Sequence, residues 1–313
     1  MLFVLPVIQT VSMINTVELL KNIPGLSWVP QIPTFLENKT QNEIDTFFTA
    51  KPQPKQSQYQ NSPTNQATKK KSNKDKTVGS YPGIPESFDW MQERPECVDH
   101  VFNMGGCQAT QTFSGISVLS DKRCIKKADA NWVDYSQQYY INCYNEESCD
   151  DKPLSQTDNF FIYLSGYDGG VVPSSCVKYF SGSTGKVSKC PTKCDDGKNI
   201  QQLTSIYGFQ QTNTMHGVWT GGFDENLKYT MLNGPVQMQF KGYADLAFYN
   251  SGIYVHAYGD YLNVYKGEAV GWGEENGIIF WKLKMPFGQQ WGEQGFLRIA
   301  QSELDQIYLE IYL

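Results

Sequence analysis

Eight cysteines fall between positions 97 and 194 of this 313-residue chain: Cys97, Cys107, Cys124, Cys143, Cys149, Cys176, Cys190 and Cys194. Eight free thiols would be unusual in a soluble cytosolic domain, whereas an even count fits a disulfide framework built in an oxidising compartment. Spacing alone leaves about 105 pairings open. Structural zinc is the rival reading, because Cys190-x-x-x-Cys194 could offer two ligands. No second closely spaced Cys or His pair follows to complete a tetrahedral site, so no metal is expected.

An oxidising compartment directs attention to the N-terminus. Residues 1–15 contain the apolar stretch Met1-Leu2-Phe3-Val4-Leu5-Pro6-Val7-Ile8 and its continuation to Ile14, which resembles the h-region of a secretory signal. It lacks the usual basic residues before it and a clear small-x-small cleavage site. A candidate signal peptide over 1–15 and a buried N-terminal segment are therefore both open. No apolar run reaches the roughly 18 residues of a membrane helix, so no transmembrane span is expected.

Residues 51–83 are rich in Gln, Asn, Ser, Pro and Lys and carry seven lysines against the single acidic Asp75. Such a stretch cannot bury enough apolar surface to offset its ordering entropy, and reads as a disordered linker. Because it is so basic, the rest of the chain is more acidic than the formal net charge of −6. That balance argues against nucleic acid as a partner. With 40% hydrophobic and 14% aromatic residues, the remainder can form a large core.

After the linker the pattern becomes globular. Helical stretches are predicted at about Thr110–Ile125, Tyr135–Cys143 and Thr157–Ser165. From about Gly234 strands take over: Pro235–Phe240 alternates, Ala269–Trp272 and Ile278–Leu283 flank the hairpin turn Glu275-Asn276-Gly277, and Phe296–Ile299 adds another. A helical half followed by a sheet half suits an α+β enzyme fold with a cleft between them.

Several blocks in this region, in the same order, resemble the papain-family cysteine peptidases, and cathepsin B in particular. Ile84-Pro85-Glu86-Ser87-Phe88-Asp89-Trp90 resembles the start of the mature enzyme. Asn233-Gly234-Pro235-Val236, Tyr249-Asn250-Ser251-Gly252-Ile253-Tyr254, Gly271-Trp272-Gly273 with Asn276-Gly277, and Trp291-Gly292 with Gly295-Phe296 resemble its sheet half. The resemblance implies a papain-like two-lobed fold over residues 84–313, with a helical left lobe and a β-barrel-like right lobe. It also implies the pairings Cys97–Cys124, Cys107–Cys149, Cys143–Cys190 and Cys176–Cys194. Upstream, Leu26-Ser27-Trp28 and Phe35-Leu36-Glu37-Asn38-Lys39-Thr40 resemble the short propeptide that crosses the cleft, so residues 16–50 are expected either to dock there, anchored by Trp28, or to be an inherited remnant. Asn38 heads a glycosylation sequon.

The catalytic block departs from the family. Where Gln-Gly-x-Cys-Gly-Ser-Cys-Trp-Ala-Phe is usual, this chain reads Met104-Gly105-Gly106-Cys107-Gln108-Ala109-Thr110-Gln111-Thr112-Phe113. Aligned through the flanking blocks, Thr110 takes the nucleophile position, Tyr265 the histidine, Met285 the asparagine and Met104 the oxyanion glutamine. Cys107 matches a structural cysteine. The chemistry needs a thiolate, an imidazole and an orienting amide, and none of these side chains supplies one. Thr110 is expected to serve as a helix N-cap instead.

Other features of the family's site are also altered. The family's Asn-Gly-Gly after Cys149 reads Asp150-Asp151-Lys152, the interval between Cys176 and Cys190 is too short for the occluding loop of cathepsin B, and His100, His216 and His256 match no catalytic position. The resemblance thus implies an inactive homologue that acts by binding another protein in a secretory, lysosome-like or extracellular setting, without a cofactor. Thr110-based hydrolysis and a structural subunit of a larger assembly are the alternatives.

Overall fold

The computed structural model describes residues 4–37, 39, 44, 48, 83–143, 149, 170–201 and 223–309. The helices are α1 (Val4–Lys21), α2 (Trp90–Glu93), α3 (Pro95–Val98), α4 (Thr110–Ile125), α5 (Gln137–Cys143), α6 (Ser181–Thr184) and α7 (Phe223–Met231). The strands are β1 (Trp28–Pro30), β2 (Phe88–Asp89), β3 (Val236–Tyr243), β4 (Tyr249–Tyr254), β5 (Tyr261–Glu275), β6 (Ile278–Lys284), β7 (Phe296–Ala300) and β8 (Leu304–Leu309). The predicted helix at 157–165, Asp150-Asp151-Lys152, Asn38 and His216 lie outside the described residues.

The helical lobe is organised around α4, whose bounds match the sequence expectation. Its residues Thr110 to Cys124 are all buried although many are polar. A helix buried on every side is usually apolar throughout; here several of the polar side chains are held by hydrogen bonds, some of them to the sheet. Gln237 on β3 donates to the Gln111 carbonyl at 2.8 Å and to Ser114 Oγ at 2.7 Å. Helix α5 begins two residues later than predicted, because the Ser136 hydroxyl accepts the Tyr139 N–H and caps the helix there.

All eight cysteines are paired, as Cys97–Cys124, Cys107–Cys149, Cys143–Cys190 and Cys176–Cys194, which is the pattern the resemblance implies. Cys190 and Cys194 bond to different partners, so they are not a zinc-ligand pair. The crosslinks tie the helical lobe at several levels, and each restricts the unfolded chain.

The second lobe is a mixed sheet in the order β1-β4-β7-β6-β5-β3-β8, with β2 branching off to pair with β5. All its pairs are antiparallel except β4 with β7. Asn276 and Gly277 turn β5 into β6 with φ of 53° and 78°, the left-handed pair that a two-residue hairpin requires. The core runs through this sheet and includes Tyr249, Tyr254, Tyr265, Phe240, Trp281, Phe287 and Trp291, all fully buried. The result is an α+β, papain-like two-lobed fold. Among the described residues no helix is long and apolar enough to cross a membrane.

The N-terminal segment is built into this core. Helix α1 runs across position 15 without a break, and Met13, Val17 and Leu20, spaced on one helical face, are buried with Leu36, Ile44 and Phe48. β1 adds to the sheet edge at β4, pairing Trp28 with Gly252. A Cβ on Gly252 would lie 2.6 Å from the Ser27 carbonyl oxygen, so only glycine allows the strands to approach this closely. Trp28 packs against Tyr249 and Tyr254, with ring centroids 6.1 and 5.4 Å away, and donates its indole N–H to Val255 O at 2.9 Å.

Candidate functional site

The loop before α4 sets the first wall of the site. Met104 is buried, its N–H donates to Pro286 O at 2.9 Å, and its carbonyl accepts from the Tyr179 hydroxyl at 2.6 Å. Gly105 has φ of +57°, and a Cβ there would sit 2.6 Å from Gly182 O, so the backbone turns where no side chain fits. The Cys107–Cys149 disulfide then pins the loop as it enters the helix.

Thr110 is the first residue of α4, and Ala109 occupies the N-cap without a side-chain hydrogen bond. This corrects the N-cap expectation by one residue. The Thr110 hydroxyl instead accepts the backbone N–H of Lys266 at 2.9 Å, joining the helix to β5 across the junction of the lobes. The register of β5 places Lys266 between Tyr265 and Gly267, and both neighbours belong to the same constellation.

Tyr265 is fully buried, with its ring edge-on to Phe287 at 5.7 Å and tilted against Phe240 at 6.1 Å. It lies across Gly242 of β3, where a Cβ would come within 1.9 Å of the ring. Its hydroxyl donates to the backbone carbonyl of Phe48. Met285 is buried over Gly267, where a Cβ would meet the Met285 sulfur at 2.6 Å, and its N–H donates to Gly295 O at 2.9 Å. Thr110, Tyr265, Met285 and Met104 therefore contact β5 residues 265–267 or the Met285–Pro286 backbone.

These four residues supply two neutral hydroxyls and two thioethers. A threonine hydroxyl needs an adjacent base to become a nucleophile, and both described histidines are engaged elsewhere. His100 stacks on Trp132 at 3.8 Å, and burial, followed by the nearby Lys284 charge, holds its pKa below the usual value. His256 stacks on Tyr243 at 3.7 Å with Nδ1 facing Asp245 Oδ1 at 3.3 Å.

Beside this constellation lies a groove of about 600 Å³, bounded by His100, Phe102, Asn103 and Trp132 of the helical lobe and Phe287 and Gln289 of the other. Phe35 from the N-terminal segment also lines it. Further along, Phe48 packs on Phe287 with centroids 5.5 Å apart. The N-terminal segment thus touches the groove at one point and the Tyr265 position at another.

One buried polar cluster was missed from the sequence. Lys284, whose side chain is 2% exposed, bonds Asp121 of α4 and lies 3.0 Å from Glu268 Oε2; both carboxylates are fully buried. Ser117 donates to the same Glu268 oxygen at 2.5 Å, and Trp132 donates to Asp121 at 2.8 Å. Burial, and then the Glu268 charge, push the Asp121 carboxyl well above its ordinary range. Burial opposes the charge on Lys284, but the two carboxylates outweigh it and raise its pKa. The signal in the sequence was slight, two lysines, Lys282 and Lys284, at the end of an apolar strand, and the β5–β6 register shows that Glu268 sits opposite Lys284.

The family model described as "Papain family cysteine protease" matches residues 84–311. Among curated relatives, Cathepsin B-like CP3 of Giardia intestinalis is 30% identical over 295 residues, covering 91% of this chain and 89% of its own. Cathepsin B-like CP1 of the same organism is 34% identical over 238 residues, covering 72% and 74%. Among solved structures, procathepsin B S9 of Trypanosoma congolense superposes with a TM-score of 0.68 at 23% identity, covering 95% of this chain and 96% of that one. The proform of the ragweed pollen cysteine protease Amb a 11 gives 0.68 at 20% identity, covering 99% and 86%. At these identities the two structures speak for the fold, while the family model and the curated relatives carry the membership: the chain belongs to the papain family of cysteine proteases.

Proposed function

We propose that this cathepsin B-like protein does not hydrolyse peptides and acts by binding another protein, in a secretory, lysosome-like or extracellular compartment. The observation that carries the reading is the Thr110 hydroxyl held on the Lys266 N–H next to the buried Tyr265. Thr110, Tyr265, Met285 and Met104 stand at the family's nucleophile, histidine, asparagine and oxyanion-glutamine positions. A hydroxyl there is not ionised at neutral pH, and a phenol is a poor base. Methionine neither orients an imidazole nor donates to an oxyanion. Loss of one oxyanion donor alone costs about 3–4 kcal/mol of transition-state stabilisation, and here four roles are lost together. The disulfide-paired framework supports the compartment.

The test is hydrolysis of mixed fluorogenic peptides by the purified protein, with labelling by a thiol-directed papain-family probe and a Thr110→Ala control. The expected result is neither turnover nor labelling. Turnover that Thr110→Ala abolishes would make Thr110 a nucleophile and overturn the reading.

A further inference from the structure

We infer that the disulfide-framed face carrying Lys178, Lys186, Lys189, Lys193 and Lys198 is an interaction surface for an acidic segment of a partner protein. This surface serves the binding role proposed above, on which the inference rests. Charge is unevenly distributed over the chain. Residues 178–198 hold five lysines against Asp195 and Asp196, whereas the rest of residues 84–313 holds 25 acidic residues against 12 basic ones. A local positive field on a body of opposite sign attracts anionic partners and orients them as they approach.

The lysines are available to a partner. All five are exposed, and Lys198 places its Nζ 2.7 Å from Asp196 Oδ2 in a surface contact that solvent weakens. Among the described residues, the side chains of Lys178, Lys186, Lys189 and Lys193 make no ion pair. The backbone beneath them is fixed in advance by the Cys176–Cys194 and Cys143–Cys190 crosslinks. The Cys194 N–H donates to Lys198 O at 2.9 Å, the Asp195 N–H donates to Cys176 O at 2.8 Å, and the Lys178 N–H donates to Asp195 Oδ2 at 2.9 Å. Lys193 bridges to Asn199. Lys178, Lys193 and Lys198 therefore gather around one crosslink, and Lys189 adjoins the other. Charges on an ordered backbone cost less entropy to engage than the same charges on a mobile loop.

The composition of the face selects among anions. Between the lysines the exposed residues are small or polar, among them Ser183, Thr184, Ser188 and Thr192, and no large apolar side chain is exposed there to enter a lipid surface. No arginine is present to grip sulfate or phosphate through two parallel bonds. Asp195 and Asp196 interrupt the positive field. A uniformly charged polymer meets them as repulsion, whereas a peptide can place neutral residues opposite them.

The test is fluorescence anisotropy of a labelled peptide alternating glutamate and serine, titrated with the full-length protein at low salt, beside a peptide alternating glutamine and serine. The glutamate peptide is expected to bind saturably and to weaken as salt rises, and the glutamine peptide not to bind. Lys189→Glu with Lys193→Glu is expected to weaken binding about tenfold or more. Lys127→Glu with Lys241→Glu changes the net charge equally on exposed lysines outside the face, and should weaken it less than about twofold. Near-UV circular dichroism checks that each variant folds, and the milder Lys189→Gln with Lys193→Gln should lose an intermediate amount. Absence of saturable binding, or equal losses from the two reversed pairs, overturns the inference. A sulfated oligosaccharide that binds the face while the peptide does not overturns the assignment to a protein. Self-association in sedimentation velocity that Lys189→Glu with Lys193→Glu abolishes gives the face to a second copy of the chain, and overturns the assignment to a partner. Turnover of fluorogenic peptides would sink the proposed function and leave this binding measurement untouched.

Discussion

The Thr110 hydroxyl accepts a hydrogen bond from the backbone N–H of Lys266, 156 residues further along the chain, and so ties the first turn of the central helix to the middle of the longest strand. On the assignment proposed above, this place would carry the nucleophile and base of a peptidase of the family. Here the contact is between a hydroxyl and a backbone amide, and its consequence is structural.

Removing that hydroxyl should therefore cost stability. Thr110→Val keeps the shape but takes this acceptor from the buried Lys266 N–H, an effect of about 1–3 kcal/mol. Thr110→Ser should stay close to wild type, and Thr110→Cys should add no peptide hydrolysis, because the imidazole and amide positions still hold Tyr265 and Met285. Urea melts and the fluorogenic assay check these three variants; turnover by Thr110→Cys alone would show that the altered surroundings can still activate a thiol.

Gly242 should tolerate no side chain while Tyr265 is present, since a Cβ would lie 1.9 Å from the ring. Gly242→Ala is expected to destabilise by about 1–3 kcal/mol through overpacking. In the double variant with Tyr265→Ala the crowding has no partner, so the two costs should fall well short of additive. Additive costs would place the strain in the β3 backbone instead.

The Lys284 cluster makes a prediction about both mutation and pH. Lys284→Met leaves Asp121 and Glu268 buried without their cation and is expected to cost about 3–5 kcal/mol. Asp121 and Lys284 both have folded pKa values raised above their unfolded ones. Each then binds its proton more tightly in the folded state, so its stabilisation is full below the unfolded pKa and is lost as pH rises through the folded one. For Asp121 the loss begins as pH rises past the ordinary carboxylate pKa and is complete above the raised folded value. From about pH 4 upward the stability of wild type relative to Asp121→Asn should fall, as read from their unfolding midpoints. Equal slopes would mean that Asp121 does not carry the pH dependence.

The Cys97–Cys124 bridge closes 27 residues and joins α3 to the end of α4 beside Trp90, Val98, Val270 and Phe296. Replacing both cysteines with serine should lower stability by roughly 3–4 kcal/mol in the loop-entropy account. Thermal melting of the double variant measures this, and a loss under about 1 kcal/mol would show that the surrounding cluster alone organises the corner.

Much of the fold was legible because its signals are local. The bounds of α4, the Asn276-Gly277 turn and the start of β7 follow from short-range periodicity and turn chemistry within a few residues of each position. Small errors occurred where a side chain competed with the pattern: Ser136 trimmed the start of α5, and Ala109 rather than Thr110 became the cap of α4. The proposed assignment of Thr110, Tyr265, Met285 and Met104 rests on motif order, which reports residue type but not partners.

The sequence by itself determined the class of the fold and the oxidised cysteine framework, since these depend on composition and order along the chain. Only the tertiary structure decided what Thr110, Tyr265, Met285 and Lys284 touch. Alternation along β5 and β6 says which face a residue is on, but not that Glu268 meets Lys284, that Lys284 reaches Asp121 on α4, or that Tyr265 bonds Phe48 across 217 residues. Those contacts depend on strand register and on packing between distant segments, and in the buried setting they create each polar group is held by the partner it meets there.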